Sequence, residues 1–154
     1  IIKIILEKLY GNVSGKKISI LGFSFKANTN DTRESPAIKI CKGLIEEGCF
    51  LSIYDPKVNM HQIKKDLEIS LDNQNNHSNN NDKWEFSKSI NHSVENSDAI
   101  VILTDWDEFY NINYEKLINN MRKPSWIFDL RNTVNINKAR ESGFNIWSLG
   151  NGNL

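Results

Sequence analysis

Five consecutive apolar residues, AIVIL at 99–103, admit few folds. A strand with one wet face alternates apolar and polar side chains, whereas an unbroken apolar run of this length suits a strand covered on both faces, as inside a parallel sheet. The rest of the chain supplies the helices and further strands that such a sheet needs. Residues 1–10 carry apolar positions at helical spacing and stop at Gly11 and Asn12. Residues 17–21 read as a strand. After a polar loop of about a dozen residues, Ser35 and Pro36 supply an N-cap and a first helical position. Ala37, Ile40, Cys41, Leu44 and Ile45 then form a buried stripe that ends at Gly48. Strands are expected at 50–54, 84–86, 126–128 and 145–148, with helices at 61–67, 89–96, 114–121 and 136–142. This alternation predicts an α/β fold, a Rossmann-like three-layer sandwich with a mainly parallel sheet. Between them, DNQNNHSNNND at 72–82 has no apolar residue to offset the entropy of ordering it and reads as an exposed loop.

With 154 residues and 39% hydrophobic content, the chain fits one soluble domain. Its 19 basic and 19 acidic residues cancel, so no overall field draws nucleic acid or an anionic membrane, and an anion must be held by a local cluster. No apolar run approaches the roughly 20 residues of a bilayer span, and residues 1–10 lack a signal peptide's basic start and cleavage site. A cytoplasmic protein is expected, and a chain that begins with Ile suggests a piece of something longer.

In a parallel sheet the residues that follow the strands share one edge, where ligands usually bind. Residues 23–33, Asp55, 104–107 and 129–131 occupy it, and they include Lys26, Arg33 and Arg131. Arginine's planar fork suits a diphosphate. Lys26 and Arg33, taken alone, fit a solvated loop equally well. Asp55 and Asp105 read as turn and cap residues. The glycine-rich dinucleotide fingerprint is missing, because Gly22 is followed by Phe23, Ser24 and Phe25, so NAD should not bind here in the ordinary way. Phe25 fits a core position, or else a ring flanking a sugar or base while Lys26 neutralises phosphate. Cys41 and Cys49 read as packed thiols. His61, His77 and His92 read as surface residues without metal-ligand spacing. Trp106, Phe109 and Tyr110 read as helix packing, and Asp105, Asp107 and Glu108 as a solvated first turn.

The segments ILGFSFKANTNDTRESPAIKI, IYDPKV, VILTDWDEF and WIFDLRN resemble, in order and spacing, the C-terminal domain of UDP-glucose 6-dehydrogenases. The resemblance runs from about residue 16 to 131 and more weakly to the end. FK followed by DTRESP marks the wider group that includes GDP-mannose and UDP-N-acetylmannosamine enzymes, while TDWDEF and FDLR tilt the choice to UDP-glucose. The resemblance implies a UDP-binding domain at 15–154, preceded at 1–14 by a helix from a central region outside this chain. It implies that Phe25 and Lys26 contact the UDP-sugar, that Arg131 binds the uridine diphosphate part, and that Arg33 reaches towards NAD across an interdomain cleft. Enzymes of this kind oxidise the C6 alcohol of UDP-glucose to a carboxylate with NAD and a cysteine. Neither the NAD domain nor that cysteine motif lies in these residues, so an inactive isolated chain is implied. The full-length protein would be a homo-oligomer and the isolated domain a monomer. Leu130 stands where the family usually has a glycine before the arginine, which bears on the pose of Arg131.

Overall fold

The computed structural model describes residues 1–68 and 83–150. The predicted loop at 72–82, with His77, lies outside them. Six strands are described: β1 (Lys17–Leu21), β2 (Phe50–Tyr54), β3 (Trp84–Phe86), β4 (Ala99–Ile102), β5 (Trp126–Asp129) and β6 (Asn145–Ser148). They form one sheet in the order β3-β2-β1-β4-β5-β6. Every pairing is parallel, so the sheet is wholly rather than mainly parallel. The helices are α1 (Ile2–Lys8), α2 (Pro36–Glu46), α3 (Met60–Glu68), α4 (Ile90–Val94), α5 (Tyr114–Asn119) and α6 (Ile136–Glu141).

The two-residue period of the strands sorts their side chains into two cores. Ile18, Ile20, Leu51, Ile53, Ala99, Val101 and Phe128 face one side, where Ile5 and Leu9 near α1, Leu44 of α2 and Ile63 of α3 pack on them. Leu21, Ile100, Ile102 and Ile127 face the other, against Val94, Leu117, Ile118 and Ala139 from α4, α5 and α6. The AIVIL run feeds both cores, which is why it needs no polar residue. Lys8 at the end of α1 lies 6.0 Å from the centre of the Trp126 ring and pins that helix over β5.

Local chemistry sets the element ends. Ser35 caps α2 by accepting the Ala37 N–H at 3.3 Å, with Pro36 at the first helical position. At the other end the Gly48 N–H donates to Ile45 O at 3.0 Å and the Cys49 N–H to Leu44 O at 3.1 Å, the paired bonds of a Schellman stop, with Gly48 at φ +90°. Cys49 belongs to this stop, and β2 begins at Phe50, as its sequence pattern places it. α5 is shorter than its apolar pattern because the chain tightens after Asn119, where Asn120 and Met121 donate to carbonyls three residues back.

Candidate functional site

In this strand order the connections leave β1 and β4 in opposite directions, so a crevice opens beyond their carboxyl ends, the place where open α/β sheets bind ligands. Three segments form its rim: 22–26 after β1, 103–106 after β4, and 130–132 after β5.

Backbone fit brings the first two segments together. Gly22 has φ +94°, and a Cβ on it would lie 2.5 Å from the Cβ and Oγ1 of Thr104. Only glycine lets β1 turn this close to the end of β4. Thr104 Oγ1 then donates to Ser24 O at 3.0 Å, Ser24 Oγ donates to Lys26 O at 2.9 Å, and Ser35 Oγ donates to Phe23 O at 2.8 Å. Those bonds hold the loop in one path. Phe23 is fully buried, and Phe25 is 49% exposed, so the core reading of Phe25 is corrected: the inward ring is Phe23 and the outward one is Phe25. Lys26 beside it is exposed and has no ion pair among the described residues.

Asp55, at the end of β2, does more than its expected turn. Its Oδ1 accepts the N–H groups of Lys57 and Val58, each at 2.9 Å, which is the turn. Its Oδ2 accepts the N–H groups of Phe23 at 2.8 Å and Ser24 at 3.0 Å, and the Trp106 indole N–H at 3.2 Å. The carboxylate is 3% exposed. Nothing in its sequence context shows that role, because the donors come from two distant segments.

Arg131 reaches the same rim from β5. Its Nη2 lies 3.3 Å from Asp105 Oδ1, so Asp105 is an ion-pair partner and not simply a cap. The buried Asp129 shapes the turn by accepting the Arg131 N–H at 3.0 Å and the Val134 N–H at 2.9 Å. Leu130 meets no backbone demand for glycine: the left-handed residue of this turn is Asn132, at φ 58°, and Leu130 donates its N–H to Ile102 O and packs its side chain on the first core. Arg33 faces solvent from the loop before α2 and is gripped by Asp31, with Nε to Oδ1 at 3.0 Å and Nη2 to Oδ2 at 2.8 Å. The guanidinium holds the Asp31 carboxyl down at about 2, chiefly through these hydrogen bonds.

The structure thus brings Phe25, Lys26 and Arg131 to one edge of the sheet, with Arg33 on the first loop and engaged locally. The thiols are unsuited to catalysis. Cys41 and Cys49 are buried, and burial drives both upward, Cys49 to about 12. No cluster of metal-ligating groups occurs among the described residues. Trp106 and Phe109 are buried, whereas Tyr110, in a 3-10 helix over Asp107–Asn111, is 49% exposed.

The family model described as UDP-glucose/GDP-mannose dehydrogenase family, UDP binding domain, matches residues 19–136. The chain belongs to this family. Within it, the UDP-glucose 6-dehydrogenase 4 of Arabidopsis thaliana is 40% identical over 153 residues, covering 95% of this chain and 32% of the relative. The protein of the same name from Oryza sativa subsp. japonica is 39% identical over 153 residues, with the same 95% and 32% covered. The chain therefore spans about a third of the length of these curated relatives. Among solved structures, the UDP-D-ManNAc dehydrogenase from Pyrococcus horikoshii is 29% identical with a TM-score of 0.70, covering 97% of this chain and 29% of that one. A UDP-glucose dehydrogenase from Pyrobaculum islandicum, 22% identical with a TM-score of 0.67 over 96% of this chain and 28% of that one, shares the fold.

Proposed function

We propose that this chain is the C-terminal, UDP-binding part of a UDP-glucose 6-dehydrogenase. The observation that carries the reading is the placement of Phe25, Lys26 and Arg131 along the switch-point edge of the sheet, in a chain 40% identical to plant enzymes of that name. Lys26 and Arg131 supply positive charge for a diphosphate, and the Arg131 guanidinium offers it two parallel hydrogen bonds once it leaves Asp105. The Phe25 ring presents an open face to a sugar or base. Held by its non-reacting end, the UDP-sugar is positioned for oxidation at C6 by groups that other parts of the enzyme provide. In the whole enzyme NAD accepts the hydride. This chain's first loop does not fit a dinucleotide pyrophosphate, because it lacks the glycines and its N–H groups of Phe23 and Ser24 are already bonded to Asp55. Arg33 is the residue we assign to reach a cofactor held elsewhere. Residues 1–14 would join this part to a central region through which the full-length protein assembles, while the isolated chain stays monomeric. No described helix is long and apolar enough to cross a membrane, and we place the protein in the cytoplasm.

Titration of the chain with UDP in a calorimeter tests the reading. Binding is expected, and Arg131→Ala should abolish it; unchanged affinity in that variant would remove Arg131 from the site. The likeness to the UDP-D-ManNAc dehydrogenase favours a second donor, and oxidation assays of the full-length protein with UDP-glucose, GDP-mannose and UDP-N-acetylmannosamine decide between them.

A further inference from the structure

Two successive backbone N–H groups aimed at one point form a nest, a natural anion site, and the first loop of a nucleotide-binding α/β sheet offers such a nest to phosphate. Here Phe23 and Ser24 form one directly after the left-handed Gly22, and both donate to the same oxygen, Asp55 Oδ2. Asp55 directly follows β2, the place from which a dinucleotide-binding sheet sends a carboxylate to a ribose hydroxyl. It points inward instead. Five N–H donors surround it, and no cation pairs with it among the described residues.

We propose that Asp55 is a built-in anion that occupies the phosphate nest of the first loop, and so excludes a dinucleotide from this domain while setting Phe25 and Lys26 outward for the UDP-sugar. A free carboxylate in the nest would compete with phosphate for the same donors; a tethered one is always present. The three Oδ2 bonds join the loop after β1 to Trp106 after β4, so removing the carboxylate loosens both walls of the crevice. Asp55 is thus a positioning residue: it acts through the Phe23 amide, which lies two and three residues before Phe25 and Lys26. The positioning half of the inference rests on the UDP reading above, and the nest half does not.

The test is Asp55→Ala in the present chain, with sodium formate as the probe and sodium chloride at equal ionic strength as the control. The variant should melt roughly 10 °C below the parent, since several buried donors lose their acceptor. Formate should recover at least half of that loss, saturably, and move the parent by less than about 1 °C. UDP affinity should fall at least about tenfold in the variant and rise again with formate. An equal response of both chains to formate overturns the nest assignment. Unchanged UDP affinity in Asp55→Ala overturns the positioning role. Should that variant not fold, Asp55→Asn is followed by hydrogen exchange: the amides of Phe23 and Ser24 and the Trp106 indole should exchange at least about tenfold faster while the amides of β4 keep their rates. Unchanged rates at all three overturn the nest. Melting and exchange involve no nucleotide, so a parent chain that fails to bind UDP overturns the functional proposal and the positioning half, and leaves the nest result to stand or fall separately.

Discussion

Asp31 and Arg33 show how one residue's chemistry is set by a neighbour two positions away. Because the Asp31 carboxyl is held at about 2, below its ordinary 3.8, the pair's contribution is complete above the unfolded value and is lost as pH falls through the folded one. The pair faces solvent, so it serves to aim Arg33 more than to stabilise the fold. A carbon-detected NMR titration should place the Asp31 midpoint near 2, and Arg33→Ala should return it towards 3.8. This pair lies within one short motif. Lys26 and Arg131 were legible as cations at strand ends, because a parallel sheet sends all its strand ends to one side. Asp55 was legible only as a turn. Its donors at Phe23, Ser24 and Trp106 lie 32, 31 and 51 residues away in sequence, and no local pattern announces a contact of that range. Phe23 and Phe25 are both aromatic, and only the path of the loop decides which one turns inward.

Element boundaries follow local rules more closely. β1, β2, β3 and β6 begin and end where their sequence patterns place them, since each is a short apolar run bounded by turn-forming or polar residues. The helices α1, α3, α4, α5 and α6 differ from expectation only at their ends, where fraying and tight turns compete with the periodic pattern. What the pattern did not reveal is how α4 packs. Its inner face carries Ser93, which donates to Ser52 O at 2.9 Å, and the Ser19 hydroxyl meets Ser93 Oγ at 2.6 Å. Nearby, Ser52 Oγ donates to Glu85 at 2.9 Å and meets Ser87 Oγ at 2.7 Å, and Ser87 in turn meets His92 Nδ1 at 2.8 Å. A short helix seated on hydroxyls is held by direction as well as by area. Ser93→Ala should cost about 1–3 kcal/mol in urea denaturation, because it strands buried partners. The Ser19→Ala, Ser93→Ala double variant should cost less than the sum of the two singles.

At the scale of the whole molecule, a sheet with helices packed on both faces shields its thiols. Cys41 and Cys49 are 0% and 2% exposed, so an aromatic disulfide reagent at pH 8 should label the native chain at least about 100-fold more slowly than the unfolded one. Rapid labelling of either thiol would show that α2, which carries Cys41, or the stop after it, which carries Cys49, opens independently of the sheet. The fold class was the most legible property of all, because six strands and their connecting helices repeat the same evidence along the chain, whereas the crevice is defined by which strands become neighbours. That neighbour relation has a consequence for biosynthesis. The central pair β1 and β4 aligns Ile18 with Ala99, so the strand that leaves the ribosome first waits for one made about 80 residues later, some 4–16 s at usual translation speeds. Until then Gly22 has no Thr104 to approach and Asp55 no indole to hold, so the nascent chain is half a sheet with an open central edge and no crevice.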